Sequence, residues 1–111
     1  MTKVYFGQRQ DLEAYKDADI ENFTIDVYNN DNTNYDFTGA TGFVMSFYPT
    51  QEREEVLKSG GNISASGNRV TVNVDYKDVI NLPVGEYWYD IKFTTSGNYD
   101  HVILFGKFTV R

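Results

Sequence analysis

The chain has 111 residues, a formal net charge of -6 and a pI near 4.6, with nine Tyr, eight Phe, one Trp and no Cys. That length fits one domain over residues 1–111, with room for a two-layer core. Without Cys there is no disulfide or thiolate chemistry, the acidic balance disfavours nucleic acid and anionic membrane surfaces as partners, and no apolar run nears the roughly 20 residues of a bilayer span.

The opening "MTKVYFGQRQD" lacks the apolar core of a secretory signal, so the protein is expected to be made and kept in the cytoplasm. "KVYFGQRQDLEAY" reads as an extended segment in which Gly7 marks a bend or bulge between two short pieces. "DIENFTIDVYN" sets Phe23, Ile25 and Val27 against Thr24, Asp26 and Tyr28, the alternation of a half-buried strand. "NNDNTNYDFTGATG" is a polar loop of turn-forming residues. "FVMSFYP" is a strand stopped by Pro49, with Phe43, Met45 and Phe47 on one face and Val44, Ser46 and Tyr48 on the other. "EREEVLK" is too short for an independent helix and reads as a connection, with a short edge strand or a helical turn at Glu55 to Lys58. "NISASGNRVTVNV" is strand, turn at Ser66-Gly67-Asn68, and strand with Val70, Val72 and Val74 inward. "DYKDVINLPVG" crosses over with a turn of helix. "VGEYWYDIKF" is a strand, "TSGNYD" a hairpin loop and "HVILFGKFTVR" the closing strand.

About seven short strands between turns, with no long amphipathic helix, predict an all-β chain. The expected fold is an immunoglobulin-like antiparallel β-sandwich. "LPVGEYWY" carries the spacing of a tyrosine corner, with Tyr87 as the residue whose hydroxyl bonds back to the segment before it; the competing reading is a plain core aromatic.

Chemistry is sparse. His101, the only histidine, opens the last strand beside a loop and reads as a solvated strand-end residue. The carboxylates are scattered over solvent faces and name no acid–base pair. No enzyme activity, cofactor or metal is therefore expected. Asn30, Asp31, Asn32, Asn34 and Asp36 offer oxygen ligands that suit Ca²⁺, but lack the glycine and terminal glutamate of an EF-hand loop. Plain turn formation is the preferred reading. Trp88, Tyr48 and Tyr28 are exposed-face aromatics on which a sugar ring could stack.

Trp88, the single tryptophan, shares the solvent face of its strand with Glu86, Asp90 and Lys92. Continuing the alternation puts Leu104, Gly106, Phe108 and Val110 inward, and Ile103 and Phe105 outward beside Trp88. In an immunoglobulin-like order the "FVMSFY" strand joins this sheet, adding Val44 and Tyr48. The outer face is then apolar through Trp88, Ile103, Phe105, Val44 and Tyr48. The opposite sheet shows Thr24, Asp26, Tyr28, Arg69, Thr71, Asn73 and Asp75, all polar or amphipathic. Three readings compete: scattered exposed residues of the ordinary kind, a cover supplied by the N-terminal segment or the "EREEVLK" connection, and a protein–protein interface. The interface reading is preferred.

Several segments together resemble a known family. In "NNDNTNYDFTGATGFVMSFYP", Asp36, Phe37, Thr38 and Gly39 are similar to the Asp-Leu-Thr-Gly-like element of phage upper-baseplate-protein N-terminal domains, with Phe in place of Leu. "GNRVTVNV" resembles their Gly-x-Val-Thr-Val strand. Gly85, Tyr87, Tyr89 and Asp90 resemble their Gly-x-Tyr-x-Tyr-Asp strand, and Gly106, Phe108 and Val110 their closing Gly-x-Phe-x-Val. The likeness runs from about Ile20 to the end. It implies an immunoglobulin-like sandwich in a tailed-phage virion, with a binding or scaffolding role and no catalysis. Baseplate members continue into a further region after the sandwich, whereas this chain stops at Arg111, which suits a many-copy accessory role. The expectation is a capsid auxiliary or decoration protein, with other virion proteins or copies of itself as partners. A tail or baseplate component, or a carbohydrate-binding sandwich module, is the alternative.

Overall fold

Strand alternation, β-branched residues and a high aromatic content produce a fold in which the described residues contain strands and turns but no helix. The computed structural model describes residues 2–15, 23–60, 62–73, 82–95 and 100–111. The expected crossing helix turn before Leu82, Val74, Asp75 and most of the "TSGNYD" loop lie outside these residues.

Among the described residues there are ten strands: β1 (Thr2–Tyr5), β2 (Gln8–Arg9), β3 (Leu12–Ala14), β4 (Phe23–Tyr28), β5 (Thr41–Tyr48), β6 (Lys58–Gly60), β7 (Asn62–Ser66), β8 (Arg69–Asn73), β9 (Gly85–Thr94) and β10 (Asp100–Val110). They form a four-stranded sheet, β1-β4-β8-β7, and a six-stranded sheet, β2-β10-β9-β5-β6, in which β3 also pairs with β10. The two sheets pack face to face as a β-sandwich. The edge strand β6 begins only at Lys58, the last residue of the "EREEVLK" connection, and Glu55 to Leu57 form neither strand nor helix; the 62–73 stretch is a hairpin closed at Gly67-Asn68.

The sequence predicts purely antiparallel sheets of about seven strands; both sheets are mixed, and the extra strands come from the N-terminal segment. β1 runs parallel to β4, and β2 and β3 run parallel to β10. The chain turns at Phe6-Gly7, where Gly7 adopts a φ of 80° that an L side chain rarely takes. One arm of this turn lies on each sheet. The Phe6 amide donates to the Tyr28 carbonyl at 2.9 Å and the Gly7 amide to the Ile103 carbonyl at 2.8 Å.

The core follows the predicted parity over most of its extent. Ile25, Val27, Met45, Phe47, Val70, Val72, Tyr89, Ile91, Phe93, Leu104, Phe108 and Val110 are buried. Phe37, from the Asp-Phe-Thr-Gly turn, also enters the core, while the Asp36 carboxylate accepts from both the amide and the hydroxyl of Thr38. One end of the sandwich is filled by rings. Phe6 stacks on Tyr35 with centroids 4.6 Å apart, and Phe93 meets Phe37, Phe43 and His101 at 5.3, 5.6 and 5.6 Å. His101 is therefore half-buried against Phe93 and Phe6, not solvated as its strand-end position suggested.

Two tyrosines fix the strands that carry the outer face. The Tyr87 hydroxyl donates to the Pro83 carbonyl at 2.8 Å, the backward bond of a tyrosine corner. The Tyr89 hydroxyl donates to the carbonyl of Gln10, above Gly106 with which Tyr89 is paired. Burial, then the nearby Asp11 charge, raises the Tyr89 phenol well above its ordinary range.

Candidate interaction face

The outer face of the larger sheet is set by register. Trp88 pairs with Tyr48 on one side and Lys107 on the other; Asp90 pairs with Ser46 and Phe105; Lys92 pairs with Val44 and Val102. Cross-strand partners share a face, so these residues form three rows across β5, β9 and β10. Trp88, Phe105 and Val44 are half-buried there, as a partly covered apolar face requires.

Ile103 does not join them. The β9–β10 register shifts between Val102 and Leu104, so one extra residue enters β10 at that point. Alternation counted back from Val110 sends Ile103 outward, but the bulge turns it into the core beside Leu104. Ile103 is 0% exposed and Leu104 1% exposed. Tyr48 keeps its place on the outer face, yet it is only 1% exposed. Something covers it.

Lys92 lies over Tyr48 itself, its Nζ 5.9 Å from the ring centroid, and arginines from the two segments that the sequence offers as candidates lie over the neighbouring rings. Arg53, in the connection after β5, lays its guanidinium 4.5 Å from the Phe105 ring centroid. Arg9, on β2, lays its guanidinium 5.0 Å from the Trp88 ring centroid. Asp11 holds Arg9 through an Nε–Oδ1 contact of 3.1 Å and accepts from the Lys107 amide at 3.0 Å. The Arg9 hydrogen bond, then the Lys107 amide, lower the Asp11 carboxyl below its usual value. At the rim, Lys107 pairs with Glu86 at 3.4 Å.

A buried carboxylate sits in the middle of this face. Asp90 is 2% exposed. The Tyr48 hydroxyl donates to its Oδ1 at 3.1 Å, and Lys92 Nζ lies 3.7 Å from its Oδ2. Burial raises the Asp90 pKa, against the opposing pull of Lys92, the Tyr48 hydroxyl and Arg53. Desolvation pulls the Lys92 ammonium down, but Asp90, Tyr48 and Asp100 outweigh it and hold it above its usual value.

Arg53 is held awkwardly. Its φ is 54°, a left-handed conformation uncommon for a residue with a side chain. Its Nη1 is buried with no hydrogen-bond partner. Among the described residues no ion pair within 4.0 Å joins it to Asp90.

Sequence reasoning found the aromatic members and missed the ionic ones. Asp90 and Lys92 look like ordinary solvent-face residues in the alternation, and neither Arg9 nor Arg53 carries any local sign of where it will reach. The resemblance to the Gly-x-Tyr-x-Tyr-Asp strand was the one cue that singled out Asp90.

The sugar-stacking candidates each face a cation. Arg9 lies over Trp88, Lys92 lies 5.9 Å from the Tyr48 centroid, and Lys3 lies 4.5 Å from the Tyr28 centroid. On the opposite sheet, Arg69 pairs with Asp26 at 3.1 Å. In the Asn30–Asp36 loop, Asp31 Oδ1 accepts from the Thr33 amide and hydroxyl at 3.0 and 2.6 Å, the geometry of a self-contained turn.

No protein-family model matches the sequence, and no curated protein matches it.

Proposed function

We propose that the protein is a non-enzymatic structural component of a tailed-phage particle, a capsid auxiliary or decoration protein with a tail or baseplate role as the alternative. It binds neighbouring subunits through the outer face of its larger sheet. The observation that carries this reading is the contiguous, half-buried set of Trp88, Phe105 and Val44 around Tyr48 and Asp90. Aromatic residues and arginine together are the usual composition of interface hot spots.

The immunoglobulin-like assignment belongs to the same proposal. The strand orders β1-β4-β8-β7 and β10-β9-β5 correspond to the two sheets of that fold, and the Tyr87–Pro83 bond supplies its corner. The parallel pairing of β1 with β4 is the departure. The carbohydrate-binding alternative is less favoured because the stacking faces are already occupied by cations.

The test is sedimentation of the intact chain, alone and with purified particles, beside the double variant Trp88→Ala/Phe105→Ser. Loss of association in a variant that remains folded supports the proposal. A strictly monomeric protein that binds glycans and no particle overturns it.

A further inference from the structure

Three features recognise a guanidinium in a water-poor site: a flat aromatic face, a carboxylate for its forked N–H groups, and exclusion of solvent. All three meet on this outer face. Phe105 supplies the ring, Asp90 the carboxylate, and the burial of Asp90 and Tyr48 the dry surroundings. Tyr48 orients the carboxylate through its hydroxyl bond to Oδ1. Lys92 stands off at 3.7 Å from Oδ2, which leaves acceptor capacity on the carboxylate.

The present occupant uses this site incompletely. Arg53 stacks on Phe105 but leaves Nη1 buried and unpartnered, and it forms no ion pair with Asp90 within 4.0 Å. A buried donor without an acceptor destabilises, and so does a left-handed backbone at a residue with a side chain. Both penalties fall on the same residue. They arise because Arg53 is tethered to a short turn, where its amide donates to the Thr50 carbonyl at 3.2 Å. A guanidinium free of that tether can stack on Phe105 and reach Asp90 with both prongs.

We propose that Phe105, Tyr48 and Asp90 form a guanidinium-binding site, shielded in the isolated chain by its own Arg53, that accepts an arginine side chain presented by a neighbouring protein. The identity of the occupant as a neighbour's arginine rests on the proposed interface role of this face; the binding chemistry of the site does not. Arginine fits better than lysine, whose ammonium is a point charge and cannot bridge both carboxylate oxygens while stacking flat. The residues on either side of Arg53 are exposed and contribute nothing to the core.

The test uses the full chain carrying Arg53→Gly, since glycine takes the left-handed conformation without strain and vacates the site. N-acetyl-arginine amide is titrated and followed by the fluorescence of Trp88, the single tryptophan and the register partner of Tyr48. Saturable binding at least tenfold tighter than to the intact chain is expected. N-acetyl-lysine amide should bind at least fivefold more weakly, and Arg53→Gly/Asp90→Asn should lose the preference. Equal, non-saturating responses to both amides, or binding untouched by Asp90→Asn, overturn the site. If Arg53→Gly does not fold alone, N-acetyl-arginine amide should restore native Trp88 emission where the lysine compound does not; no recovery overturns the proposal equally. Because the titration contains no particle, its failure is separable from failure of the assembly role.

Discussion

Gly106 lies directly beneath the backbone of Gln10. A Cβ at position 106 would be driven into the Gln10 carbonyl and would lie 2.9 Å from the Asp11 carboxylate. The obstacle is backbone, which cannot swing aside as a flexible side chain can. Gly106→Ala should therefore cost about 3 kcal/mol, as overpacking of a tight site does. It should also release the Tyr89 hydroxyl from Gln10. Urea denaturation checks the first effect. The second appears as a change in the Tyr89 ring signals in NMR spectra.

Tyr87→Phe removes only the hydroxyl that reaches Pro83. The ring stays, so the loss should be that of one hydrogen bond, about 1 kcal/mol. Denaturation midpoints of the two proteins give the comparison. A change within error would mean that the ring, not the corner bond, holds this bend.

Ile103 and Phe105 are two residues apart in β10 and should respond very differently. Ile103→Ala opens a cavity in a fully buried site, at about 3 kcal/mol. Phe105→Ala, on the half-buried face, should cost less than half as much. The reverse order of stabilities would place the β10 bulge elsewhere.

Parity reading was reliable wherever pairing is regular. It put Met45, Phe47, Val70, Val72, Tyr89, Ile91 and Phe93 inside, and they are inside. It failed at Ile103 because a single inserted residue reverses every position counted through it, and a bulge carries no reliable local signature. The arginine covers were illegible for another reason. Arg53 meets Phe105 from a distant part of the chain, and Arg9 meets Trp88 from its far end. Nothing in a window of ten residues records such a meeting. The two segments could be named as covers only because the face needed one. The short N-terminal strands look like fewer pieces in the sequence, since pairs of residues flanking a turn leave no alternation to count.

Asp90 and the turn carboxylates should pull stability in opposite directions with pH. Burial raises the Asp90 pKa above 3.8, so the folded state binds that proton more tightly than the unfolded chain does. Its contribution is fully present below the unfolded pKa and is lost as pH rises through the folded one. Asp11, held low first by Arg9, and Asp31 and Asp36, held low first by Thr33 and Thr38, behave oppositely. Their contribution is present above the unfolded value and is lost as pH falls through the folded pKa. Asp90→Asn keeps an acceptor for Tyr48 and removes one titration. The stability of the variant relative to the parent should therefore rise as pH rises above the ordinary carboxyl value of 3.8. Denaturation at a series of pH values gives that difference directly, and a difference that falls with pH would show Asp90 stabilised as a carboxylate.

The turn at Phe6-Gly7 has a consequence for the order in which the sandwich is completed. β1 finds its partner in β4, nearby in sequence, but β2 and β3 must dock on β10, and the Asp11–Lys107 bond closes a separation of 96 residues. Loop closure over such a span is slow, and parallel pairing adds no hairpin to nucleate it. The segment is thus divided in time as well as in space, with one arm able to settle early and the other last. Until the second arm arrives, the edge of β10 and the face bearing Trp88 are uncovered together. A folding intermediate of this protein would be stickiest on the surface that the finished molecule half conceals.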